Sequence, residues 1–81
     1  MTRSDTIINR IKTLCDNKHI TIHKLSVLSG LPESTVRYFM SGSIKTAPRI
    51  DTLHKIATGL GMTLSEFFDF PEMNDTIFND E

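Results

Sequence analysis

Eighty-one residues, 38% hydrophobic and 23% charged, fit one compact domain with a modest core and leave no room for two. No apolar run reaches the ~18–20 residues of a membrane span, and Met1-Thr2-Arg3-Ser4-Asp5 does not open a signal peptide. The single cysteine makes no intrachain disulfide, so a cytoplasmic protein is expected. The net charge of −1 is unevenly spread: residues 66–81 hold six acids (Glu66, Asp69, Glu72, Asp75, Asp80, Glu81) and no Lys or Arg. Residues 1–65 hold nine basic against four acidic residues, a net of +5. A basic body admits nucleic acid as a partner, and a solvated surface with an acidic tail accounts for the same pattern.

In chain order, Ile7, Ile8, Ile11, Leu14 and Cys15 fall on one face of a first helix, with Ser4 or Asp5 as its N-cap. Asn17-Lys18-His19-Ile20 breaks that pattern. Thr21 caps a short second helix reaching Ser29, with Leu25 and Leu28 inward, and Gly30 ends it in the left-handed conformation. Pro32 sits at or beside the start of a third helix running to Met40, with Val36, Phe39 and Met40 inward. Ser41-Gly42-Ser43 stops it, and a polar loop leads to Pro48. A fourth helix carries Ile50, Leu53, Ile56, Ala57 and Leu60 on one stripe, with Gly61 just past its end. Thr63-Leu64-Ser65-Glu66 reads as a capping box opening a last helix with Leu64, Phe67 and Phe68. Pro71 marks its limit, and 71–81 reads as an acidic tail. No stretch alternates with period two, so the expected fold is an all-α, compact five-helix bundle.

The second and third helices carry the functional argument. Leu25 and Val36 fill the angle between them, and Ser26 is small enough to permit close approach. Gly30 makes the turn, Leu31 plugs it, and Phe39 anchors the far end. Such a pair leaves the front of the later helix exposed, the arrangement of a DNA-binding helix-turn-helix.

This spacing resembles the Cro/CI repressor family, the XRE-type helix-turn-helix regulators, over roughly residues 5–69. The resemblance rests on Ile20-Thr21, Ser29-Gly30-Leu31, Ser34-Thr35-Val36 and Ser41-Gly42. It continues through Pro48-Arg49-Ile50-Asp51-Thr52-Leu53-His54-Lys55-Ile56-Ala57 and Gly61-Met62-Thr63-Leu64-Ser65-Glu66-Phe67-Phe68. It implies a lambda-repressor-like bundle, with residues 1–70 as the DNA-binding domain. The chain departs from the family at Ile22, where many members carry a DNA-contacting glutamine, and at Pro32-Glu33-Ser34, where Gln, Asn or Arg are frequent.

On the third helix Glu33, Ser34, Arg37 and Tyr38 form a polar stripe opposite Val36 and Phe39, where the resemblance places base reading in the major groove. Backbone contacts are expected from Thr21, Lys24, Ser43, Lys45, Thr46 and Arg49. Phe67, Phe68, Phe70, Met73, Ile77 and Phe78 are more apolar surface than a short C-terminal segment hides alone, so they are expected to form a two-fold dimer.

Cys15, His19 and His23 have metal-ligand spacing on a continuous helix, but the break at 17–20 argues against a site, and no metal or cofactor is expected. His54 stands alone, and no Ser/His/Asp set, phosphate loop or paired carboxylates point to catalysis, so no enzyme activity is expected. The leading expectation is a transcriptional regulator, a repressor acting as a homodimer on double-stranded DNA at a palindromic operator, with no small-molecule effector indicated. Two other readings keep the fold: the antitoxin of a toxin pair, and a protein-interaction module without DNA binding.

Overall fold

The computed structural model describes residues 3–41 and 48–75. Six α-helices follow one another: α1 (Arg3–Lys18), α2 (Ile22–Ser29), α3 (Glu33–Met40), α4 (Ile50–Gly59), α5 (Leu64–Phe68) and α6 (Pro71–Asn74). No strand occurs among the described residues. α1 begins at Arg3, which puts Asp5 inside the first turn and not at the cap. There its carboxylate faces the positive end of the helix dipole. The sequence pattern predicts no sixth helix, since Pro71 reads there as a stop. Proline at the first helical position costs no hydrogen bond, and here it starts a turn in which Met73 and Asn74 donate to the Phe70 carbonyl.

Each helix end has a local cause. α1 closes with His19 at φ 55°, and the Ile20 N–H reaches back to the Cys15 carbonyl at 2.9 Å. The Thr21 hydroxyl caps α2 by accepting from the Lys24 N–H at 3.1 Å. Gly30, at φ 71°, donates to the last-turn carbonyls, and the Leu31 N–H reaches the Ser26 carbonyl at 3.1 Å, which turns the chain into α3. The capping box at α5 is complete: Glu66 N–H donates to Thr63 Oγ1 at 3.1 Å, and Thr63 N–H to Glu66 Oε1 at 2.8 Å.

The core collects one face of every longer helix: Ile7, Ile8, Ile11 and Leu14 from α1, Leu25 from α2, Val36 and Phe39 from α3. α4 adds Leu53, Ile56 and Ala57, and Phe67 comes from α5. Leu25 and Val36 are fully buried where α2 meets α3, each worth about 1.5–3 kcal/mol relative to an exposed side chain.

Two residues expected inward are exposed, Leu28 at 40% and Ile50 at 60%. α2 turns Leu25, Ser26 and Ser29 to the interior, so Leu28 falls to one side. The reason lies on α4, where Gly59 sits so close that a Cβ there would stand 2.8 Å from the carbonyl carbon and oxygen of Leu28 and 2.9 Å from the Ser29 nitrogen. That approach requires small residues, and the buried hydroxyls of Ser26 and Ser29 bond back to the carbonyls of His23 and Leu25, each at 2.6 Å. Ile50 is the first residue of α4, ahead of the buried stretch that starts at Leu53.

A long-range tie joins α1 to the end of α5. Arg10 on α1 donates through Nε to the Phe67 carbonyl at 2.9 Å and through Nη2 to the Glu66 carbonyl at 3.2 Å. Its guanidinium also lies 4.8 Å from the centre of the Phe70 ring. The Phe67 carbonyl at the end of α5 thereby gains a charged donor, and the Glu66 carbonyl, which also accepts from the Asp69 N–H at 3.2 Å, gains a second one.

Candidate nucleic-acid interface

With Val36 and Phe39 fixed in the core, the eight residues of α3 have one direction left for their polar side chains. Glu33, Ser34, Arg37 and Tyr38 lie at i, i+1, i+4 and i+5, and the structure brings all four to the outer face of α3. Ser34 is exposed and Tyr38 is 62% exposed, its ring turned away from the core. These groups supply a hydroxyl, a phenol, a guanidinium and a carboxylate, the donor and acceptor chemistry that base edges answer.

Glu33 and Arg37 are not independent. Glu33 Oε2 accepts from Arg37 Nε at 2.8 Å and from Nη2 at 2.6 Å, while Glu33 Oε1 accepts from His23 Nδ1 at 2.7 Å. The hydrogen bond from His23 on α2, and next the pair from Arg37, hold the Glu33 carboxyl below the usual carboxylate range. The carboxylate therefore stays ionised and cancels the charge of Arg37 on this face. His23 is absent from the sequence-derived site, since a contact ten residues apart across a turn leaves no periodic signal.

Of the residues expected at the DNA backbone, Thr21, Lys24 and Arg49 are exposed, Thr21 and Lys24 at the front of α2 and Arg49 at the N-cap of α4. Thr21 Oγ1 accepts from Lys24 N–H, and that contact leaves the hydroxyl hydrogen for a phosphate. Arg49 Nε stands 3.6 Å from Asp51 Oδ1 with both side chains well exposed, a pairing of little strength. Ser43, Lys45 and Thr46 lie outside the described residues, as do Ile77 and Phe78 of the dimer set. Within that set Phe67 is fully buried and Phe70 nearly so, both in the core of the single chain. Phe68, edge-on to Phe67 at 5.2 Å, and Met73 are half-buried against it.

The Cys15, His19 and His23 spacing is not carried by one helix. α1 ends at Lys18, His19 takes a left-handed conformation, and His23 belongs to α2. Burial, and then the adjacent Asp16 charge, push the Cys15 thiol up, which disfavours the thiolate a metal needs. Among the described residues no three His, Cys, Asp or Glu side chains converge on a metal position, and no helix is long and apolar enough to cross a membrane. A cleft of about 300 Å³ lies where α1 meets α6, between Thr6, Asn9, Arg10 and Thr13 on one side and Phe70, Pro71 and Glu72 on the other. None of these residues belongs to α3.

The chain is similar to prophage Lp1 protein 11, whose crystal structure matches with a TM-score of 0.79 at 31% sequence identity, covering 94% of this chain and 100% of that one. No curated protein matches it. A model of the Cro/C1-type HTH DNA-binding domain matches residues 10–72. That span runs from the middle of α1 into α6 and contains the α2–α3 pair whole, and the chain accordingly belongs to the Cro/C1-type helix-turn-helix DNA-binding family.

Proposed function

We propose that the protein is a sequence-specific transcriptional repressor that occupies a palindromic operator as a homodimer, with α3 in the major groove. The observation that carries this reading is the outward stripe of α3, a set of polar side chains on a helix whose opposite face is locked in the core. Ser34, Arg37 and Tyr38 meet base edges, with Glu33 beside them accepting from a cytosine amine or supporting Arg37. Thr21, Lys24 and Arg49, joined by Ser43, Lys45 and Thr46, hold the phosphate backbone. Repression follows from occlusion of a promoter.

Residues 1–70 form the DNA-binding unit in this reading, and the acidic segment 71–81 serves dimerisation. Phe67 and Phe70 are committed to the chain's own core, so the contact surface falls to Phe68, Met73, Ile77 and Phe78. Two copies related by a two-fold axis would place their α3 helices about one DNA turn apart, ~34 Å.

Selection from random duplexes tests the reading: a two-half-site palindrome and a dimer in sedimentation at micromolar concentration are expected. A strictly monomeric protein that binds a single half-site would refute the dimer. Absence of any salt-dependent DNA binding would refute the function and favour a module that has kept the fold for protein contacts.

A further inference from the structure

The shared carboxylate of Glu33 has a consequence for how Arg37 meets DNA. Glu33 uses its two oxygens on two different helices, Oε2 on Arg37 one turn along α3 and Oε1 on His23 of α2. A carboxylate only accepts, so His23 Nδ1 carries the hydrogen. An i,i+4 ion pair on a solvated face holds weakly by itself, because both side chains keep other rotamers open. Arg37 and Glu33 are such a pair, with side chains 60% and 36% exposed. Histidine has only two side-chain torsions, and His23 stands on an element packed independently into the core through Leu25. It supplies the second anchor that the pair lacks.

We propose that His23 is a positioning residue for base reading: it fixes Glu33, and Glu33 in turn fixes the guanidinium of Arg37. With Nε and one Nη2 hydrogen committed to Glu33, the end of this largely exposed guanidinium that carries Nη1 and the second Nη2 hydrogen is left to meet DNA. Two parallel donors at that end match O6 and N7 of a guanine. His23 itself touches no base. Its contribution is to settle the orientation of Arg37 before DNA arrives, so that less side-chain freedom is lost on binding. It also keeps the carboxylate from swinging toward the phosphates. This inference rests on the DNA-reading role proposed above for α3.

The test uses the full chain and compares wild type with His23→Ala and His23→Asn, in which the amide nitrogen takes the place of Nδ1. Each protein is put through selection from random duplexes and then titrated with its selected site and with an unselected duplex. Wild type and His23→Asn should choose the same site. His23→Ala should lose discrimination at one G·C pair by roughly five- to tenfold, the low end of what a bidentate contact supplies. Its affinity for unselected DNA should stay within about twofold, since no phosphate contact is removed. In a Glu33→Ala background, His23→Ala should change nothing further, because its route to Arg37 is already gone. The inference is overturned if His23→Ala keeps wild-type discrimination, if His23→Asn fails as His23→Ala does, or if selected and unselected DNA weaken in parallel. Should wild type select no site at all, the DNA-reading role falls and the inference falls with it.

Discussion

Gly59→Ala sets two effects against each other, and the geometry decides the sign. Alanine in place of glycine in a helix gains up to about 1 kcal/mol from backbone entropy alone. Against that, the new Cβ would stand 2.8 Å from two backbone atoms of Leu28 and 2.9 Å from the Ser29 nitrogen, none of which can rotate away. Carbon atoms rest about 3.5–4.0 Å apart, so α4 has to recede from α2 by roughly 0.6–1 Å, which forfeits a quarter to a half of the dispersion energy along the seam. Leu25 and Ala57, fully buried on these two helices, lose contact as the seam opens. Overpacking of this kind costs about 1–3 kcal/mol, leaving a net loss of up to about 2 kcal/mol after the helix gain is deducted. For a domain of this size that is a fall of up to about 10 °C in Tm, read by circular dichroism. Thr58→Ala, one residue earlier on the exposed side of α4, isolates the propensity gain and should raise Tm slightly. A Gly59→Ala protein as stable as wild type, or more so, would falsify the close-approach argument.

Arg49→Ala should weaken binding to every duplex alike and lower the salt slope by about one, whereas Arg37→Ala should change the preferred bases by ~1–3 kcal/mol. Identical selected sites for wild type and Arg37→Ala would remove α3 as the reader. Glu33 is held below its ordinary value of 4.5 by His23 and then Arg37, so its contribution to stability is complete above that value and disappears as pH falls through the lower folded value. The Tm margin of wild type over Glu33→Gln should therefore be present at pH values above 4.5 and shrink as the solution is acidified below it, and a margin that stays flat on acidification contradicts the pairing. Arg10→Ala removes a charged donor from two carbonyls and the cation over Phe70, a loss of about 2–3 kcal/mol in denaturant unfolding. Arg10→Lys keeps the charge without the forked geometry and should fall between the two, and a neutral Arg10→Ala would show the latch to be idle.

What was legible in the sequence is what local chemistry decides. The Thr63–Glu66 capping box, the Thr21 cap and the Gly30 turn each follow from residues within five positions of one another, and each forms as expected. The outward stripe of α3 follows from helical period once Val36 and Phe39 are assigned inward. Periodicity failed where tertiary contact overrode it. Leu28 looked like a core residue, but the approach of Gly59 turns the serine side of α2 inward in its place. Pro71 reads as a terminator because proline's two roles, ending one helix and starting the next, look identical in sequence. The Arg10 latch and the His23–Glu33 bond join residues on different helices, and nothing in residue spacing marks them.

The Arg10 latch also bears on the order of assembly. It joins positions 57 residues apart, and closing a chain segment of that length costs about 3.6 kcal/mol in loop entropy by the logarithmic law. The α2–α3 pair, separated by a three-residue turn, and the nearby α4–α5 pair face a much smaller closure cost and are free to form first. A tie made after the barrier slows the way out of the native state and does little to the way in. Loss of Arg10 should thus shorten the lifetime of the folded domain at nearly unchanged folding rate, a change carried by the unfolding arm of a chevron plot.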